Sequence, residues 1–171
     1  MPFERDEIDD TVRRYLATRD EICSGNGGWD RLADFFTDDA VFIDPAWGRV
    51  EGLDEMRNTV FGPAMAGLDD WTFPTDLYAI VGDTVLVKWR QQFPGADGRT
   101  YEQSGSSTLV YAGGGRFSYE EDILNMAHVL EDMAASGWRP KGTMNLPPAN
   151  PDRDFSRPER TSADESGHDP R

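Results

Sequence analysis

The chain has 171 residues, enough for one domain with a buried core and too few for two of ordinary size. Its 17 basic and 32 acidic residues give a formal charge of −15, which opposes phosphate backbones and anionic lipid, so neither nucleic acid nor a membrane surface is expected as a partner. One cysteine excludes an internal disulfide, and with two histidines no zinc-ligand spacing can be written; no metal or other cofactor is expected.

The N-terminus MPFERDEIDD lacks the basic and apolar regions of a signal peptide, and no apolar run approaches the ~20 residues that cross a bilayer, so the expected compartment is the cytoplasm. The first element is a helix. Ile8, Val12, Tyr15, Leu16, Ile22 and Cys23 recur at three- and four-residue steps from about Asp6 to Cys23, opposite a polar face of Glu7, Asp10, Arg14 and Glu21. SGNGG then supplies the turn residues that stop it. Trp29, Leu32, Ala33 and Phe36 predict a short second helix ending at Thr37 to Asp39, and Ala40 to Asp44 reads as a strand closed by Pro45. GRVEG predicts a brief extended return. Leu53, Met56 and Val60 open a third helix that Gly62 and Pro63 kink or end.

Beyond this point the period changes. Four extended runs, Trp71 to Val81, Thr84 to Phe93, Tyr101 to Ala112 and Arg116 to Leu124, are separated by GD, PGADG and GGG, which predicts an antiparallel meander. A helix from Asn125 to Ser136 follows, stopped by Gly137. The domain is therefore read as residues 1 to 138 with an α+β fold. Residues 139 to 171 carry six of the eleven prolines and few large apolar side chains, so this tail is expected to be mostly disordered, from about residue 150, with Pro140 to Pro148 lying along the surface.

Alternation identifies the side chains that could meet. Val87, Trp89, Gln91 and Phe93 share the inward face of one strand, and Lys88, Arg90 and Gln92 the outward one. In RFSYEEDIL one face carries Ser118, Glu120, Asp122 and Leu124 and the other Phe117, Tyr119, Glu121 and Ile123, so an acid faces inward on either choice. Phe42 and Asp44 share a face by the same rule. A sheet curved around the first helix would bring Asp44, Gln91, Asp122 and Glu120 or Glu121 to Tyr15, among Phe42, Trp47, Trp89 and Leu124, the pattern of a site for a small apolar molecule. Burial of grouped carboxyls raises their pKa values toward neutrality, which suits general acid and base roles. Asp before Pro is also a common turn former, and an aromatic on a helical stripe is commonly core. His128 reads as a surface or dimer-contact residue, and Cys23 as a small buried hydrophobe.

The order of elements, with FFTDDAVFIDPAWGRVEGLDEM, a strand like VLVKWRQQF and the closing GGRFSYEEDILNM, resembles the SnoaL-like branch of the nuclear transport factor two superfamily over about residues 6 to 136. The resemblance implies a cone: a strongly curved, mostly antiparallel sheet wrapped around N-terminal helices, with a deep apolar cavity and a homodimer through the sheet. DDAVFIDP is similar to the ketosteroid isomerase segment that holds the general base, at Asp44, and RRY places Tyr15 at the oxyanion position. The second acidic donor of those enzymes is replaced by Ser106 or Ser107 in SGSSTLVY. Asp122 matches the last-strand Asp of the epoxide hydrolases and polyketide cyclases, whose other polar residues are not matched. The implied activity is cofactor-free acid/base chemistry of isomerase, cyclase, dehydratase or hydrolase type. The alternative is a ligand-binding or scaffold module without catalysis.

Overall fold

The computed structural model describes residues 3–158. In chain order these form α1 (Arg5–Cys23), a 3₁₀ turn (Trp29–Phe35), β1 (Phe36–Asp44), β2 (Gly48–Glu51), α2 (Leu53–Asn58) and a second 3₁₀ turn (Pro63–Met65). There follow β3 (Thr75–Val81), β4 (Thr84–Pro94), β5 (Thr100–Gly113), β6 (Arg116–Leu124) and α3 (Met126–Ser136). The strands make one open six-stranded sheet in the order β2-β1-β6-β5-β4-β3, antiparallel except where β1 runs parallel to β6. This is the expected α+β fold, and the meander from β3 to β6 is present.

Two boundaries differ from expectation. Thr37 to Asp39 do not end a helix but belong to β1, where Phe36 pairs with Phe117 and the ladder resumes only at Val41 with Tyr119; exposed Asp38 and Asp39 bulge out between these two points. The run from Trp71 becomes a strand only at Thr75, because Pro74 interrupts the ladder, with Thr72 bridging singly to Gln92.

The stripe of α1 packs Ile8, Val12, Tyr15 and Leu16 into the concave face of the sheet, against Phe36, Phe42, Val87, Trp89 and Phe117. Tyr15 meets Phe35, Phe36 and Phe117 edge-on at 5.5, 6.1 and 5.8 Å between ring centroids, an arrangement favoured by aromatic quadrupoles. A second cluster at the other end stacks Trp71 on Phe93 at 4.6 Å beside Val129 and Trp138. Cys23 is half-buried rather than fully enclosed.

Alternation in β6 breaks. Phe117 lies in the inner core, whereas Tyr119, two residues on, packs outside with Val41 and Ile43. The register slips between Val110–Tyr119 and Tyr111–Phe117, so Ser118 is an extra residue and the faces swap at it. Beyond the bulge Glu120, Asp122 and Leu124 face inward, which settles the choice between Glu120 and Glu121.

The chain does not leave the domain near residue 150. The Arg49 amide donates to Asp152 O at 3.0 Å, and Arg49 Nη1 donates to Asp154 O at 3.2 Å and Ser156 O at 2.7 Å. Gly48, at φ +80°, lies so close beneath the strap that a Cβ there would stand 2.4 Å from Asp152 O. Arg157 sits 5.4 Å from the centroid of the Tyr119 ring. Backbone hydrogen bonding to a folded strand offsets the ordering cost that composition alone suggested. Residues 159–171, the remainder of the expected disordered tail, lie outside the described residues.

Candidate active site

Between α1, the concave sheet, α3 and the two 3₁₀ turns lies a cavity of about 270 Å³. Its wall includes all nine side chains picked out in the sequence: Tyr15, Phe42, Asp44, Trp47, Trp89, Gln91, Glu120, Asp122 and Leu124. The rest is largely aromatic and aliphatic. Met144, Asn145, Leu146 and Pro147 of the segment after α3 close one side, held by Asn145 Nδ2 donating to Pro63 O at 3.0 Å.

The polar groups form one linked set. The Tyr15 hydroxyl donates to Glu120 Oε2 at 2.8 Å, and Glu120 in turn feels the charge of Asp122, two residues on along the same strand face. From the opposite side Trp89 Nε1 donates to Ser107 Oγ at 2.8 Å, and Ser107 donates to Asp122 Oδ1 at 2.5 Å. Trp89 reaches Ser107 because its ring lies flat over Gly105, its register partner on β5, where a Cβ would meet the ring at 2.4 Å. Of the two serines open in the sequence, Ser107 is therefore the one in the site.

Asp44 does both things its sequence context allowed. Its Oδ1 accepts from the amides of Ala46 and Trp47, each at 2.7 Å, in the turn that Pro45 starts. It also lines the cavity and interacts electrostatically with Asp122. Burial pushes the Asp44 carboxyl above its ordinary value, against the opposing pull of the two amides. Burial likewise drives Glu120 well above the carboxylate range, with the Asp122 charge adding to it. Asp122 is pushed up to about 7, mainly by burial and further by Asp44, while Ser107 partly opposes the rise. The Tyr15 phenol is raised well above its usual value by burial and then by Glu120. Three carboxyl groups thus share a hollow in which they cannot all ionise near neutral pH.

Gln91 Nε2 donates to Gln103 Oε1 at 3.0 Å, and Gln103 Nε2 to Asp132 Oδ2 at 2.7 Å; Asp132 in turn pairs with exposed His128 at 3.1 Å. His128 is on the surface, away from the acids. Two polar residues escaped the sequence reading. Gln103 is signalled by its position opposite Gln91. Arg19, only 7% exposed and in the cavity wall, stands four residues after Tyr15 and thus on the apolar stripe of α1. Among the described residues no group of three or more His, Cys, Asp or Glu side chains is arranged to hold a metal ion. Nor is any described helix long and apolar enough to cross a membrane.

Residues 12–120 match the profile of the SnoaL-like domain. The chain belongs to the SnoaL-like domain family. Solved structures similar to this SnoaL-like chain include a candidate SnoaL-like polyketide cyclase from Jannaschia sp. CCS1, 19% identical, covering 82% of this chain and 97% of that one with a TM-score of 0.60. A second candidate SnoaL-like polyketide cyclase, from Shewanella putrefaciens CN-32, is 16% identical over 79% of this chain and 88% of its own, at a TM-score of 0.58. TerC, co-crystallised with polyporic acid, is 16% identical over 73% and 96%, with a TM-score of 0.54. At these identities the likeness concerns the fold. No curated protein sequence matches the chain.

Proposed function

We propose that this SnoaL-like protein binds a small, mostly apolar, oxygen-bearing molecule of polyketide, terpenoid or steroid-like type and performs cofactor-free proton transfer on it. The observation that carries the reading is the Tyr15–Glu120 pair, Asp122 and Asp44 facing one apolar hollow with room for a ligand. Environments that push neighbouring acids apart assign their roles. Asp44, held by two amides, is the ionised member and removes a proton next to a carbonyl. The electron pair moves onto the carbonyl oxygen, and Tyr15 turns its hydrogen bond from Glu120 to that oxyanion. Glu120, held well above the carboxylate range, supplies the returning proton, and the proton taken up by Asp44 passes back to Glu120 after the product leaves, so that both acids regain their starting states. Neighbours described as polyketide cyclases support the substrate class.

The test is proton exchange on a probe ketone. In deuterium oxide the protein should accelerate α-deuteration of β-tetralone, followed by NMR, and Asp44→Asn should lower that rate by roughly 10²–10⁴-fold. An Asn variant as fast as the parent would remove Asp44 from the chemistry.

One observation favours a second reading, ligand binding without turnover. Asp44 Oδ1 and the Tyr15 hydroxyl are both already satisfied by protein partners, as in a purely structural network. No exchange above background, with the probe bound, would select it. Exposed Leu86 and Ile123 on the outer face of the sheet support a second copy as the macromolecular partner, and a homodimer in the cytoplasm completes the proposal.

A further inference from the structure

Two arginines on α1 find their partners one turn back. Arg13 Nε meets Asp9 at 2.6 Å and Arg14 Nε meets Asp10 at 2.9 Å, both at the solvent face. One turn back from Arg19 stands Tyr15, which offers no charge. Arg19 is 7% exposed, and its one acceptor among the described residues is the neutral Thr75 Oγ1, 2.6 Å from Nη2. Its Nε is enclosed with no acceptor among the described residues. Among the described residues no carboxylate reaches ion-pair distance of it, although Glu120, Asp122 and Tyr15 all feel its charge.

A guanidinium carries five N–H donors and does not release its proton, so it cannot escape burial by neutralising, as a lysine can. An enclosed donor without an acceptor is costly in a protein interior unless something else takes it up. Arg19 is the one cationic side chain in a cavity wall otherwise made of apolar groups, acids and amides. The group that matches a guanidinium best is a planar, delocalised anionic oxygen pair or an enolate.

We infer that Arg19 anchors the ligand through an anionic oxygen, so that the molecule the cavity takes is an apolar ring system bearing a carboxylate or an enolate. This rests on the ligand-binding reading above and sharpens it. A neutral hydrocarbon-like guest would leave the guanidinium unpaired, whereas an anionic one completes it. Glu120 and Asp122 do not repel such a guest while they hold protons, and their hydroxyls then act as further donors to it; the Asp44 carboxylate is the charge in the hollow that opposes it, and Arg19 offsets that charge.

Matched probes test this. Binding of β-naphthoate and of its neutral isostere β-naphthamide to the whole chain is measured by calorimetry, together with quenching of the cavity tryptophans. The expected result is at least tenfold tighter binding of the naphthoate by the wild-type protein. Arg19→Gln should abolish that preference while leaving naphthamide affinity within about twofold. In isotope-labelled wild-type protein the Arg19 Nε–H resonance should move with naphthoate and stay in place with naphthamide, a reading that does not depend on a variant that folds. Equal affinity for the two probes, or a preference that survives Arg19→Gln, overturns the anchoring role while leaving ligand binding intact. Failure of both probes to bind overturns the anchoring role and the ligand-binding reading together.

Discussion

Strands β1 and β6 present two opposite solutions on their two faces. Inward they place Asp44, Glu120 and Asp122 against a hollow; outward they place Val41, Ile43 and Tyr119, each no more than 3% exposed, in a small cluster with Val110, with Arg157 of the returning chain over the Tyr119 ring. The usual order of a half-buried strand is inverted at this point, with acids inside and apolar groups outside. Each face is tolerable only because of what covers it. A cavity lets carboxyls be enclosed without being packed, and outside, the apolar groups pack on one another and on Val110, with Arg157 of the strap over Tyr119. The lesson is that burial alone does not mark core here; what matters is whether the enclosed group touches packed atoms or empty space.

The sharpest way to break the comparison is to neutralise the inner face. Asp44→Asn is expected to have the largest effect, the loss of exchange rate given above, with thermal stability unchanged or raised. Next comes pH. Folded Glu120 and Asp122 hold protons that the unfolded chain, with ordinary values of 4.5 and 3.8, has already released. Their folded values are raised, so stability is greatest below the unfolded values and declines as pH rises through about 7, by a few kcal/mol in total. Urea unfolding across that range should show the decline, and Glu120→Gln with Asp122→Asn should flatten it. A curve of the same slope in the double variant would place the titrating groups elsewhere.

Gly105→Val sharpens the comparison by shifting one inner wall without touching an acid. A Cβ at Gly105 meets the Trp89 ring at 2.4 Å, so the indole must tilt and Ser107 loses its donor. The expected cost is about 1–3 kcal/mol, with a change in tryptophan emission and weaker probe binding. The smallest effect belongs to the outer face. Arg49→Ala removes the side-chain bonds to Asp154 and Ser156 and should cost roughly 1 kcal/mol. It should increase hydrogen exchange at Ile43 and Tyr119 yet leave β-naphthoate affinity as it was. If affinity fell with it, the two faces would be coupled rather than independent.

Much of the inner face was legible before any coordinates. Three- and four-residue spacing placed Tyr15 on the buried side of α1, and alternation in TVLVKWRQQF turned Trp89 and Gln91 inward, because local periodicity is enough where the backbone is regular. It failed where the backbone is irregular or the partner is remote. The bulge at Ser118 swaps the faces of β6, which no strict alternation anticipates. Arg19 carries no local signal, because the surroundings of a single charged residue on an apolar stripe exist only once the sheet has closed over it. The strap was missed because a proline-rich, polar segment has little apolar surface of its own, and its order comes from Arg49 and Gly48 on a strand a hundred residues earlier.

By itself, then, the order of residues determined the helices, the antiparallel meander and which side chains point toward the concavity, since each follows from repeats only a few residues long. Tertiary structure alone decided that Asp44, Glu120 and Asp122 share one hollow with Tyr15 and an Arg19 that has no ion pair among the described residues, and that the tail binds Arg49 and lays Arg157 on Tyr119. Those facts depend on contacts between residues about a hundred positions apart, whose free energies arise only once the sheet has curled around α1 and excluded water from both its sides.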